Sequence, residues 1–222
     1  MSVVGIDQSL SGTGIVEISH DGNIIRQQLF SPGKLLEVRR LDFITNKICE
    51  FCSEIKERFV VAREGYSFAS KGRSVFNLGE LGGCIDLTLF RSKMPNLVEY
   101  YILPPTVVKK YCLGSGSVKK DSSYLLLVYK KLGIEFPDDN QADAYMIATT
   151  LLGFKKAMCL KQGLDHINFV KSLDGIKKEA LLSTLLSVKG SGITKATIKK
   201  IESVDFAGHV SKVIGEYKVF SR

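Results

Sequence analysis

The chain has 222 residues, of which 45% are hydrophobic, and it carries a formal charge of +8. This composition excludes a disordered chain and predicts one domain with an appendage, or two small domains. The longest apolar runs are too short for a bilayer and no signal peptide is apparent, so a soluble intracellular protein without membrane partners is expected. Five cysteines favour a reducing compartment over a disulfide framework.

The hydrophobic pattern predicts an α/β fold. Runs typical of strands occupy residues 2–7, 14–19, 23–30, 59–64 and 97–103. Spacings of three and four predict helices over 34–59, 73–92, 106–112, 120–132 and 139–157. Three strands followed by alternating helices and strands indicate a mixed five-stranded sheet flanked by helices.

Two further segments are expected after this sheet. The α/β domain is assigned to residues 1–158, and a linker without clear periodicity to residues 159–173. Residues 174–222 are predicted to form a small helical unit. Residues 161–222 contain 11 Lys and Arg against 6 Asp and Glu, which suggests a polyanionic partner such as nucleic acid.

Four carboxylates are candidates for one site. Asp7 ends the first strand, and Glu64 ends the strand that follows the long helix. A strand–helix–strand crossover makes these strands parallel, so their carboxyl ends share one edge of the sheet. Asp139 and Asp143 lie four residues apart on one helix face and are expected at the same place.

Clustered carboxylates repel one another and need a compensating charge. Oxygen ligands alone select Mg²⁺, with Mn²⁺ as a substitute, and a pair of such ions supports hydrolysis of phosphodiester bonds. The fourth ligand stays open, because Asp139 is also a candidate helix N-cap. Asp138 and Asn140 are the alternatives.

Five blocks of the sequence, in order, resemble the RuvC family of Holliday junction resolvases, especially its bacteriophage-type members. They are GIDQSLSGTGIV, REGYSF, SVFNLGELGG, PPTVVKKYCLGSGSVKK and DDNQADAYMIA. The resemblance implies an RNase H-like fold, a homodimer and magnesium-dependent nicking of four-way junctions in DNA recombination, repair or phage DNA processing. It also implies the bacterial cytoplasm as location, that of the host if a phage encodes the chain.

The resemblance also assigns residues. Asp7, Glu64 and Asp143 match its catalytic carboxylates, and Asp139 stands one residue before the position of the fourth, which is Asn140 here. Lys109 and Lys120 match two basic positions near the scissile phosphate, and a lysine there stabilises charge in the transition state, so Lys120 is also assigned a catalytic role.

Other candidate DNA-binding residues lie elsewhere in the chain. The family has an aromatic residue three positions after the catalytic Glu, where this chain has Ser67 between Tyr66 and Phe68. Either aromatic ring is a candidate for stacking on an unpaired base. In the last segment, LLSVKGSGITKATIKKI resembles a helix-hairpin-helix motif that binds the DNA backbone. Its candidate residues are Gly190, Gly192 and Lys195.

The predicted activity is therefore that of a structure-specific crossover junction endodeoxyribonuclease. The nearest alternative is another RNase H-like nuclease that acts on flaps, forks or RNA–DNA hybrids. A non-catalytic DNA-binding module conflicts with the retained carboxylates. An actin-like ATPase would need a second phosphate-binding hairpin and an adenosine-binding loop, which the sequence does not display.

Overall fold

A mixed β-sheet with helices on both sides forms the centre of the protein. The computed structural model describes residues 1–65, 73–159, 215 and 218–221. The strands are β1 (Ser2–Asp7), β2 (Thr13–Ile18), β3 (Ile24–Phe30), β4 (Phe59–Glu64), β5 (Leu97–Leu103) and β6 (Lys218–Ser221). The helices are α1 (Glu37–Ser53), α2 (Arg73–Arg91), α3 (Pro105–Leu113), α4 (Tyr124–Leu132) and α5 (Asp139–Cys159). In the described part of the chain, no helix is both long and apolar enough to cross a membrane.

The six strands lie in the order β3-β2-β1-β4-β5-β6. β1, β4 and β5 are parallel, whereas β2, β3 and β6 run antiparallel to their neighbours. The parallel connections β1–β4 and β4–β5 contain α1 and α2, respectively, as expected for crossovers. The carboxyl ends of the three parallel strands therefore share one edge of the sheet.

Alternate residues of the strands enter two hydrophobic cores, one on each face of the sheet. Val3 and Ala62 pack in the core that contains α3, α4 and α5. Val4 and Val61 pack in the core that contains α1 and α2. A residue of β1 or β4 can thus be assigned to a face by its position in the strand.

Two glycines let α5 lie directly on the sheet. A Cβ atom at Gly5 would lie 2.0 Å from the carbonyl oxygen of Ala144, and one at Gly14 would lie 2.2 Å from the carbonyl oxygen of Asn140. Real Cβ atoms do not approach backbone so closely, so these positions require glycine. The helix that carries Asp143 is therefore held at backbone contact with β1 and β2.

The predicted α/β class is confirmed, but three details differ. The sheet has six strands instead of five, because residues 218–221 add β6 to the edge of β5. Helix α1 ends at Ser53, whereas the prediction extended it to residue 59. Phe59 instead begins β4, where it is fully buried. Helix α4 begins at Tyr124, because Asp121 accepts hydrogen bonds from the backbone and hydroxyl of Ser123 in a turn.

Apart from Cys159, which ends α5, the predicted linker at 159–173 lies outside the described residues, as does most of the predicted helical unit at 174–222. These domain boundaries stay predictions. The residues of that unit that form β6 are bound to the sheet. Glu99 in β5 accepts hydrogen bonds from Lys155 at 2.5 Å and Lys218 at 2.6 Å. The ring of Phe220 lies 5.6 Å from that of Tyr100, centroid to centroid.

Candidate active site

Asp7 and Glu64 are brought together by the pairing of β1 with β4. Ile6 is aligned with Arg63, so Asp7 and Glu64 are the next residues on neighbouring parallel strands. Glu64 follows Ala62 by two positions, and Ala62 packs in the core beneath α5. Since residues two apart share a face, both carboxylates lie on the face that α5 covers.

The first turn of α5 brings two further carboxylates to this edge. Asp143 is 3% exposed. Asp138 caps the helix, because its Oδ1 accepts the backbone N–H of Gln141 at 2.8 Å. Asp139 is therefore not needed as the N-cap, and its position one turn before Asp143 leaves its carboxylate beside the same cluster.

The ammonium group of Lys120 lies in the middle of this cluster. Its Nζ forms an ion pair with Oδ2 of Asp143 and lies 3.3 Å from Oδ2 of Asp139. Oδ2 of Asp7 lies 3.8 Å away. The other oxygen of Asp143 accepts a short hydrogen bond from the hydroxyl of Tyr124, which begins α4. The loop before α4 thus supplies the positive charge, and α4 supplies a donor.

The carboxylates of the cluster carry more negative charge than the ammonium of Lys120 neutralises. Burial, followed by the charge of Glu64, raises the pKa of Asp7 well above its usual range, against the opposing effect of Lys120. Burial and the charge of Asp143 raise the pKa of Glu64 to about 7, although Lys120 and Lys109 oppose this. The surrounding carboxylates raise the pKa of Lys120 despite its burial. One ammonium therefore does not fully compensate the carboxylates.

A cleft of about 280 Å³ opens beside the cluster. Its polar lining includes Gln8, Glu64, Thr106, Lys109 and Lys120. Lys109 is fixed at its rim by a hydrogen bond of 3.3 Å from Nζ to the carbonyl oxygen of Val118. An acidic cluster with Lys120 at its centre and Lys109 in the adjoining cleft suits an anionic substrate that approaches a bound cation.

The residues present fit a divalent metal ion in their chemistry. All candidate ligands are carboxylates, two of them buried, and such hard oxygen donors suit Mg²⁺ or Mn²⁺. Across the described ranges, however, no three His, Cys, Asp or Glu side chains are arranged as a ready-made metal site. The ammonium of Lys120 occupies the place where the carboxylates converge, and it supplies part of the charge that a metal ion would supply.

The structure brings together six of the residues that the sequence predicted: Asp7, Glu64, Asp139, Asp143, Lys109 and Lys120. The predicted DNA-binding residues Tyr66, Phe68, Gly190, Gly192 and Lys195 lie outside the described residues. Tyr124 was not predicted. Its position four residues after Lys120, at the start of an otherwise apolar run, was the available signal.

Comparison with solved structures supports the fold. A scan against protein-family models and a search of curated proteins both return no match. Among solved structures, RuvC of Thermus thermophilus matches with a TM-score of 0.54 and 21% identity, over 68% of this chain and 92% of the other. The same protein in complex with a Holliday junction matches with a TM-score of 0.52 and 18% identity, over 68% and 91%. The chain therefore has an α/β fold similar to that of RuvC.

Proposed function

We propose that this protein is a divalent-cation-dependent endonuclease that cuts branched DNA, in particular four-way junctions. The observation that carries the proposal is the convergence of Asp7, Glu64 and Asp143 from three separate segments, around one cation, at the carboxyl edge of the sheet. Such buried and mutually repelling carboxylates are costly for a fold, which indicates a functional site.

The four carboxylates Asp7, Glu64, Asp139 and Asp143 are the proposed metal ligands, and Mg²⁺ or Mn²⁺ is the proposed metal. When bound, the metal would supply an activated water and neutralise charge on the reacting phosphate. The chain itself supplies the rest. Tyr124 fixes one oxygen of Asp143, and Lys120, once released from the carboxylates, would stabilise charge on the phosphate.

Branched DNA is the proposed substrate because one of the similar structures is RuvC bound to a Holliday junction. The basic residues around the cleft support a nucleic-acid ligand, since phosphate contacts provide most of the affinity of such complexes. The finer predictions belong to this proposal as well: a phage-type origin, stacking by Tyr66 or Phe68, and backbone binding by the hairpin at Gly190 and Gly192.

A homodimer is proposed because a four-way junction needs two cuts and the described cluster is a single site. A groove of about 800 Å³ between α1 and α2 is the proposed surface for self-association. It is lined in part by the exposed Leu36, Val38 and Leu87. A Cβ atom at Gly83 in the same groove would meet no atom within 4 Å, so another helix has room to approach.

The test is a substrate panel with one matched variant. Labelled four-way, flap, fork and linear DNA and an RNA–DNA hybrid are incubated with protein and Mg²⁺. We expect preferential, paired cuts in the four-way junction. Asp143→Asn should abolish cleavage and leave junction binding intact, because phosphate contacts lie elsewhere. If flaps, forks or hybrids are cut in preference, that structure and not the four-way junction is the substrate. Cleavage by Asp143→Asn at the wild-type rate would refute the assignment of the site.

A further inference from the structure

A buried arginine lies on the opposite side of β4 from the carboxylate cluster. Arg63 immediately precedes Glu64 and is 1% exposed, among the largest fully buried side chains of the described residues. Neighbouring residues of a strand point to opposite faces, so Arg63 points toward α2 while Glu64 points toward α5. A guanidinium is rarely buried in a strand core without specific partners. Its position beside a candidate metal ligand therefore calls for an explanation.

The guanidinium of Arg63 makes contacts through all three of its nitrogens. Nε and Nη2 donate to the two carboxylate oxygens of Asp86 in α2, at 2.7 and 2.8 Å. Nη1 donates to the backbone carbonyl oxygen of Glu64 at 2.8 Å. The hydroxyl of Tyr100 in β5 donates to Oδ1 of Asp86 at 2.6 Å. The network therefore joins two strands and a helix directly behind the candidate active site.

The contact with the Glu64 carbonyl falls on the last peptide group of β4. The same peptide group contains the N–H of Gly65, which donates to the carbonyl oxygen of Leu103 at 2.8 Å. Arg63 thus holds the oxygen of this group and Leu103 holds its N–H. Because the two peptide planes that flank Glu64 set the direction of its Cα–Cβ bond, the contacts to this peptide group restrain the direction in which the Glu64 side chain leaves the strand.

We propose that Arg63, held by Asp86, positions Glu64 for catalysis from behind the sheet. The proposal rests on the proposed nuclease function. These are positioning residues, because they act through the backbone of Glu64 and lie on the face away from the cluster. Asp86 keeps the guanidinium at the correct height and angle, since a bidentate pair is directional. The hydroxyl of Tyr100 is a further donor to Asp86, which binds the guanidinium through both of its carboxylate oxygens without it.

The decisive variant replaces the whole network with apolar side chains: Arg63→Met, Asp86→Leu and Tyr100→Phe together. No buried charge is left unpaired, and only the Glu64 carbonyl oxygen loses its donor. A buried ion pair replaced by apolar side chains often leaves stability unchanged or higher. We expect the variant to fold and to bind junction DNA as the wild type does. At saturating DNA, kcat should fall about 10- to 100-fold with KM unchanged, because misplacement by about 1 Å costs about 100-fold.

Tyr100→Phe alone is the matched control, because it leaves the contact between Arg63 and Glu64 in place. Its kcat should stay within about twofold of the wild type. Arg63→Lys is the second variant, and it decides the question if the triple variant does not fold. A lysine keeps a charge pair with Asp86 but lacks the planar fork needed to hold the Glu64 carbonyl as well. The same fall in kcat is expected.

Amide hydrogen exchange at Gly65 gives a readout that needs no cleavage. Because Arg63 restrains this peptide group, we expect exchange at Gly65 to become about tenfold faster in the triple variant and in Arg63→Lys, but not in Tyr100→Phe. Wild-type kcat and exchange in these two variants would overturn the positioning role and leave the nuclease proposal standing. A wild-type protein that cuts no branched DNA would overturn the nuclease proposal, and exchange would still report whether Arg63 holds the strand end.

Discussion

We expect Gly5→Ala to slow cleavage about 100-fold while the protein still folds. The added Cβ would lie 2.0 Å from the carbonyl oxygen of Ala144, where ordinary contact begins near 3.4 Å. Because both groups belong to backbone, α5 must retreat from β1 by about 1.4 Å. Overpacking of this kind costs about 1–3 kcal/mol of stability. The retreat moves Asp143 away from Asp7, and a displacement near 1 Å costs about 100-fold in rate.

The assay is single-turnover cleavage of a four-way junction, with thermal unfolding measured in parallel. Gly153→Ala is the matched control, because it lies on the same helix but its Cβ would meet the hydroxyl of the Tyr111 side chain, at 1.9 Å. This control should lose stability by a similar amount and keep its rate, since Asp143 lies almost three turns away. If Gly5→Ala cleaves at the wild-type rate, close packing at Gly5 does not place Asp143.

Three further predictions concern the metal, the dimer and the sheet edge. Mg²⁺ and Mn²⁺ should support cleavage and Zn²⁺ should not, as measured by metal titration after chelation, since all proposed ligands are oxygens. Leu87→Glu should yield monomers in sedimentation, whereas Leu126→Glu, on the similarly exposed α4, should not. Burial raises the pKa of Glu99, but hydrogen bonds from Lys155, Lys218 and a tyrosine together lower it to about 2. Glu99→Gln should therefore cost about 1–2 kcal/mol above pH 4.5 in denaturant unfolding, and the difference should vanish as pH falls toward 2.

The sheet could be predicted from the sequence because the hydrophobic periodicity of each strand is a local pattern. The strand pattern from residue 2 to residue 7 and the crossover through α1 were enough to place Asp7 and Glu64 at one edge. The spacing of four residues between Asp139 and Asp143 was enough to put them on one helix face. These inferences need only strand direction and helical geometry, which short-range patterns encode.

Other features depend on contacts that no local pattern encodes. β6 is a strand of four residues, and its pairing with β5 joins residues more than a hundred positions apart. Lys120 was predicted near the site, but its place at the centre of the carboxylates depends on the loop that precedes α4. In the sequence, Arg63 is a charged residue within an apolar strand, and its partner Asp86 becomes apparent only when α2 is placed against β4. Long-range pairing and side-chain direction, not element type, limited the prediction.

The charge balance of the cluster leads to a last prediction, that Asp7→Asn stabilises the metal-free protein. Asp7 is 4% exposed, and burial and the charge of Glu64 raise its pKa despite Lys120 at 3.8 Å. Its ionised form therefore destabilises the fold at neutral pH. Asparagine has the same shape without the charge, so the Tm in chelator should rise by a few degrees, given about 2–4 °C for each kcal/mol.

The same argument makes the effect of metal smaller in the variant. Mg²⁺ should raise the Tm of the wild type more than that of Asp7→Asn, because a ligand that binds the folded state stabilises it more when its affinity is higher. Asp21→Asn, at a side chain that is 76% exposed, should change neither value. A lower Tm for Asp7→Asn in chelator would mean that attraction to Lys120 outweighs burial and repulsion. The opposite result, together with lost cleavage, would show that this site trades stability for activity.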